Sequence, residues 1–218
     1  MVEPLLSILG STYPLTKVDA GEFRKMKVSG MDFTVTPYDA KGLGRVCVMD
    51  VSGMLGLMKM QTLIVNPFCV DAPLLSLDAI SAMGKETLFL EPFNTQLAAS
   101  FDESGMLAVR EKYASIPDKD PGQHWYDSLH LRSATFKSGK KCRAELESLA
   151  EDYYRAYLAA VREMPACDEA EKRRKAAEYS EGLAEHGGPA TDPFIKKYGR
   201  EKTTQFFRTV LFGTGDPN

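Results

Sequence analysis

The sequence predicts an α/β protein of the α+β type, a three-layer α/β/α sandwich with a central antiparallel sheet of about six strands. Three observations predict it. Between about residues 23 and 93, short β-rich runs follow one another with only turn residues between them. Several of those runs are apolar on both faces, so both faces need covers. The second half of the chain then supplies amphipathic helical stretches to provide them.

The runs are FRKMKVSG, MDFTVTPYD, GRVCVMDVSG, MKMQTLIVNP, LLSLDAISA and TLFLEPF. Gly30, Lys41-Gly42, Ser52-Gly53, Asn66-Pro67 and Met83-Gly84 interrupt them. These breaks leave no room for the crossover of about a dozen residues that parallel pairing requires. Val46, Val48 and Asp50 alternate with Cys47, Met49 and Val51, so neither face is plainly polar.

A helical stretch lies near 103–115, and a longer one over 140–164 places Leu146, Leu149, Ala150, Tyr153, Tyr157, Val161 and Met164 on one stripe. Asp168 is positioned to cap a charge-rich helix over 168–184 with a mostly solvated surface. Asp192-Pro193 reads as the start of a last helix over 192–212. Thr203, Phe206, Phe207, Val210 and Leu211 give that helix a strongly apolar closing face. The only loop-rich stretch is IPDKDPGQ, 116–123, there is no internal repeat, and residues 1–218 read as one domain.

A chain that is 44% hydrophobic and 26% charged, with a formal net charge of -3, is not composed for disorder or for duplex nucleic acid. The opening MVEPLLSILGSTYPL has too short an apolar run for a signal peptide and carries Glu3 where a basic residue is expected. No run approaches the roughly 18 apolar residues of a membrane span. Cys47, Cys69, Cys142 and Cys167 form no CxxC pair and read as free buried thiols. The expectation is a cytoplasmic monomer with no membrane or nucleic-acid partner.

No Walker loop, GxGxxG, HExxH or GxSxG is present, and His124, His130 and His186 are too dispersed to propose a metal site. What stands out is carboxylates inside apolar strands: Asp50, Asp78 and Glu91. Such a group finds a partner, faces water, or keeps its proton through a raised pKa, and the last case suits a general acid. Each taken alone also fits a solvated edge position. Lys137, Lys140, Lys141, Arg143, Lys196, Lys197 and Arg200 are candidates for an anionic ligand or an acidic protein, or form a solvated helix surface.

In order along the chain these residues resemble the ferredoxin-dependent bilin reductase family. The stretch IVNPFCVDAPLLSLDAI, 64–80, is similar to the family's strand, proline-containing loop, Asp-x-Pro and following aspartate, here Asp71, Pro73 and Asp78. LFLEPFNT places Glu91 where the family has a catalytic aspartate, and FIKKYGREKTTQFFRTVLFG resembles its closing helix. TFKSG is a weaker match to a strand whose basic residue, here Lys137, holds a pigment propionate. Asp50 falls near the family's buried glutamate. The chain departs from the phycocyanobilin-forming members in having no histidine in MLGLMKMQTL, and EHGGPATDP replaces the family's segment before the last helix.

The resemblance implies an enzyme that binds a biliverdin-like open-chain tetrapyrrole between sheet and helices and reduces it. It carries no bound cofactor or metal; electrons come from an external reduced [2Fe-2S] ferredoxin and protons from buried carboxyls. Glu91 and Asp50 are then catalytic, and Lys137, Asp78, Asp71, Lys196 and Lys197 bind substrate. The alternatives are a non-catalytic tetrapyrrole carrier on the same fold, or a reductase of a different linear tetrapyrrole, as among the red chlorophyll catabolite reductases of the broader family.

Overall fold

The structure, a computed structural model, describes residues 1–215 apart from the side chain of Met54. Helix α1 (Val2–Gly10) opens the chain, and the strands are β1 (Leu15–Lys17), β2 (Lys25–Val28), β3 (Met31–Ala40), β4 (Gly44–Gly53), β5 (Met58–Pro67), β6 (Leu74–Ala82), β7 (Lys85–Phe93) and β8 (Thr135–Lys140). Helix α2 (Ser104–Lys112) precedes β8; α3 (Arg143–Arg162), α4 (Glu169–His186), α5 (Asp192–Tyr198) and α6 (Arg200–Gln205) follow it. A π-helical turn, Phe206–Leu211, continues α6.

Every strand pairing is antiparallel. The strands form one eight-stranded sheet in the order β1-β3-β4-β5-β6-β7-β8, with β2 also paired to β3. The six runs expected from sequence are β2 to β7. The short β1 and the later β8 extend the sheet at its two edges, and α1 is a helix beyond those expected from sequence. Gly44 is required where β4 begins, because a Cβ there would come within 2.2 Å of the Asn66 carbonyl oxygen.

Val46, Val48, Leu63, Val65, Leu75, Leu77, Leu88 and Leu90 share one face and are buried with Leu5 and Leu9 of α1, Met106 of α2 and the α3 stripe from Leu146 to Val161. Tyr157 donates to the Pro73 carbonyl at 2.7 Å and Tyr153 to the Ser133 carbonyl at 3.0 Å, fixing α3 against the loops beyond the sheet. On the other face, Phe33, Val35, Cys47, Val51, Ile64, Leu74 and Phe93 pack with Tyr179, Phe194, Phe206, Phe207, Val210 and Leu211. Both faces are covered, as the doubly apolar strands require. Among the described residues no helix is long and apolar enough to cross a membrane.

The last helical stretch is broken. Gly199, at φ +80°, ends α5, so the expected single helix over 192–212 becomes two short ones. Asp168 caps α4 as expected, accepting from the Glu171 amide at 2.8 Å. The mostly solvated surface expected of α4 is corrected by its inner face, where Lys172, Ala176, Tyr179, Ser180, Gly182 and Ala184 are buried.

Lys172 is fully buried and its ammonium donates to the Ala72 carbonyl at 2.7 Å and the Thr95 carbonyl at 2.5 Å, with Asp71 at 3.4 Å. Asp71 in turn accepts from the amides of Leu97, Ala98 and Ala99 at 2.7, 3.0 and 2.8 Å. Burial opposes ionisation of Asp71, but those amides and Lys172 outweigh it and hold its pKa below the usual carboxylate range. Burial pulls Lys172 below the usual ammonium range, with Asp71 opposing. The pair thus joins α4, the β5–β6 loop and the segment after β7. Lys172→Ala takes the counter-charge from Asp71, leaves the Ala72 and Thr95 carbonyls without their donor, and is expected to cost about 3–5 kcal/mol. The urea midpoint measures it, and an unchanged midpoint would remove the pair from this role.

Candidate functional site

Residues two apart on a strand share a face, so strand register decides which carboxyls meet. Thr62 of β5 opposes Asp78 of β6, Asp78 opposes Phe89 of β7, and Ser76 opposes Glu91. Thr62, Asp78 and Glu91 therefore lie together on the face that α4 to α6 cover. On the same face, toward the β4–β5 and β6–β7 turns, Met49, Met60, Ile80, Thr87, Phe89 and Phe136 are only half-buried. They form an apolar floor with the carboxyls set into it.

Glu91 is buried and its Oε1 lies 3.1 Å from Nε2 of His130. His130 precedes β8 and is carried over Glu91 by the pairing of Phe93 with His130. Its ring rests on Phe93 at 4.8 Å between centroids, with Phe136 and Tyr126 edge-on at 5.7 Å each. Nδ1 of His130 faces Asp127 at 3.9 Å, an exposed residue, so the imidazole stands between the buried carboxylate and solvent.

Asp78 is half-buried as a residue, with its carboxyl turned inward to accept from the Thr62 hydroxyl. Burial raises its pKa from the ordinary 3.8 to about 7; Thr62 opposes the rise and the charge of Glu91 adds to it. A carboxyl that keeps its proton near neutrality is chemically an acid in waiting. Beside it, burial first and Glu91 second push the phenols of Tyr126 and Tyr179 upward, so both stay neutral hydrogen-bond donors.

An aromatic cluster closes one side. Tyr126 meets Tyr179 edge-on at 5.7 Å, and Trp125 lies against α4 beside Tyr179 and His186 at 6.0 and 4.6 Å. Gly182 makes room for the indole, since a Cβ there would meet the Trp125 ring at 2.3 Å. The Trp125 indole N–H is buried without a hydrogen-bond partner among the described residues.

The other sequence candidates fall elsewhere. Asp50 opposes Gln61 on the α1–α3 face, is exposed, and accepts from the Gln61 amide at 2.8 Å. It does not share a pocket with Glu91, because the β4 pleat turns it to the opposite face. Lys137 opposes Leu88 and is buried on that same far face, donating to the Ile116 carbonyl at 2.9 Å and to Asp118 at 2.7 Å. Asp71 is occupied by Lys172 and backbone amides. Lys196 and Lys197 are exposed on α5, on the side of Glu91, with the Lys197 ammonium donating to the Lys27 carbonyl. His130 is the residue that sequence reasoning missed as a partner of Glu91; no motif links residues this far apart in the chain.

Asp78 holds its proton to higher pH in the folded state than in the unfolded one, so its contribution to stability is fully present below about 3.8 and is lost as pH rises through about 7. Asp78→Asn should flatten that loss, read from denaturation midpoints on either side of 7. Carbon-13 titration of labelled aspartate should place the Asp78 midpoint near 7, and lower in Glu91→Gln, where the like charge is gone. A midpoint in the usual carboxylate range would refute the coupling.

No protein-family model matches the chain, and no curated protein matches it in sequence. Among solved structures, it is similar to the crystal structure of phytochromobilin synthase from tomato in complex with biliverdin, with a TM-score of 0.73 at 12% identity. The match covers 100% of this chain and 84% of that one. Phytochromobilin synthase is a ferredoxin-dependent bilin reductase. The fold of this chain is thus the bilin reductase fold that its sequence resemblance implied.

Proposed function

We propose that the chain binds a biliverdin-like open-chain tetrapyrrole on the half-open face above Asp78 and Glu91 and reduces it. The observation that carries this reading is the gathering of two carboxyls and a histidine on one apolar sheet face, in a fold shared with a biliverdin-bound protein. Half-buried Met60, Ile80, Phe89 and Phe136 suit the flat apolar rings of such a pigment. An exposed Lys196 on α5 suits a propionate at the rim, with Lys197 beside it.

Reducing one double bond consumes two electrons and two protons. The electrons come singly from an external reduced [2Fe-2S] ferredoxin, and the chain itself needs no bound cofactor. Asp78 supplies one proton from its neutral carboxyl. Glu91 and His130 handle the other, with Asp127 at the solvent end of the path. In this assignment Glu91 keeps the catalytic role given by sequence, Asp78 moves from substrate binding to proton donation, and Asp50 has no part.

An anaerobic absorbance titration with biliverdin, followed by reduced ferredoxin, tests the reading. Saturable binding and then loss or shift of the long-wavelength band, with a new pigment on extraction, is the expected outcome. Glu91→Gln and Asp78→Asn should each keep pigment binding while slowing turnover about 10²–10⁴-fold, the usual contribution of a positioned acid. Binding without turnover in the wild type would establish a carrier instead, and an unchanged rate in both variants would remove the carboxyls from the chemistry.

A further inference from the structure

The strands β4 to β8 end together on one row, with Gly53, Met58, Ala82, Lys85 and Lys140 as successive partners. Beyond that row project two neighbouring turns, β4–β5 and β6–β7, tied together by the Met83 amide donating to the Leu57 carbonyl at 3.3 Å. Among the described residues, the exposed large hydrophobics are Leu55, Leu57 and Met83, at 105%, 65% and 81% exposure, and all sit on these turns. One exposed leucine is ordinary on a protein surface; a cluster at the tips of paired hairpins is not.

Backbone conformation sharpens the point. Leu55 and Met83 have φ of +55° and +52°, the left-handed region that turns of this kind fill with glycine or asparagine. The sequence has placed large apolar side chains where they are both conformationally disfavoured and wet. Something that buries them would remove the second cost.

The charge around the tips identifies the kind of surface. Lys59, Lys85, Lys140 and Lys141 flank the turns, and none has a salt-bridge partner among the described residues. The pleat puts Lys59 on one face of the sheet and Lys85 and Lys140 on the other. Of the carboxylates near these strand ends, Asp32 pairs with Lys27 at 3.7 Å, while Glu86, accepting from the Ser81 hydroxyl at 3.0 Å, and Asp50, accepting from Gln61, are outnumbered by the four lysines. This end is locally basic although the chain as a whole carries a formal net charge of -3.

Protein–protein interfaces favour aromatic residues, methionine and arginine and are poor in lysine, and it is the four lysines here that weigh against one. Leucine and methionine at narrow tips, ringed by lysines whose long stems can lie along a boundary with their heads in water, suit a lipid interface instead. We propose that this end of the sheet docks on an anionic lipid surface, with Leu55, Leu57 and Met83 inserted beneath the headgroups and the flanking lysines on the headgroup phosphates. Such contact needs no spanning helix and is independent of the pigment reading.

Sedimentation of the full chain, without pigment, with vesicles of phosphatidylcholine alone or containing phosphatidylserine tests it. Binding to the phosphatidylserine vesicles is expected, weaker at high salt as the flanking charges are screened. The triple variant Leu55→Asn, Leu57→Ser, Met83→Asn should lower the partition coefficient at least about tenfold. Its thermal midpoint should hold or rise, since asparagine tolerates the left-handed conformation. Wild-type protein that ignores anionic vesicles, or a variant that binds them undiminished, overturns the proposal. A concentration-dependent dimer that the variant abolishes, without vesicle binding, overturns it in favour of a second copy of the chain. Slower reduction of added biliverdin by ferredoxin in the variant, again without vesicle binding, overturns it in favour of a protein partner.

Discussion

A lysine ammonium with no access to water must be surrounded by oxygen, and at Lys172 that requirement organises three separate parts of the chain. The Ala72 and Thr95 carbonyls and Asp71 converge on it, and Asp71 holds the amides of residues 97–99. Helix α4 can therefore sit over the sheet in one place only. Tyr179 and Gly182 lie two and three turns further along that helix, and they receive the aromatic cluster that walls the site. The pair is better understood as a device that fixes position than as a source of net stability, since a well-packed apolar replacement of both partners often does as well.

With α4 fixed, the alternation of the β-sheet sorts the remaining chemistry. The strands carry carboxyls on both faces, and the pleat separates them without exception: Asp78 and Glu91 toward α4 to α6, Asp50 toward α1 to α3. On the first face the local medium is apolar, so one carboxyl retains its proton while its neighbour leans on an imidazole. On the second face Asp50 is exposed and accepts from a glutamine amide, across the sheet from Glu91 and His130. Two acidic residues of similar sequence context thus have different physical fates because they differ in parity.

The two ends of the sheet have opposite characters. One is sealed by Phe93, the C-terminal helices and the Lys172 network. The other is left half-open over Met60, Ile80 and Phe89 and ends in apolar hairpin tips with left-handed turn residues. Exposed apolar side chains and a strained turn are what selection for folding alone would remove, and asparagine at either position would be the easier choice.

The elements are legible in the residues alone: six of the strands from alternation and turn residues, the α3 stripe, the Asp168 cap and the closing apolar face of the last helices. These follow from local periodicity and local hydrogen bonding, which neighbours in the chain can express. Asp78 and Glu91 stand out as well, because a carboxyl in an apolar strand is conspicuous wherever it points. Their company, in contrast, is set by the folded chain. Strand register put Asp50 and Lys137 on the far face, and a loop far along the chain brought His130 to Glu91. A buried lysine in a charge-rich helix looked like one more solvated residue until Asp71 and Thr95 were in place around it. Each of these depends on a contact between distant residues, and parity across a ladder or the reach of a loop leaves no periodic mark in the chain.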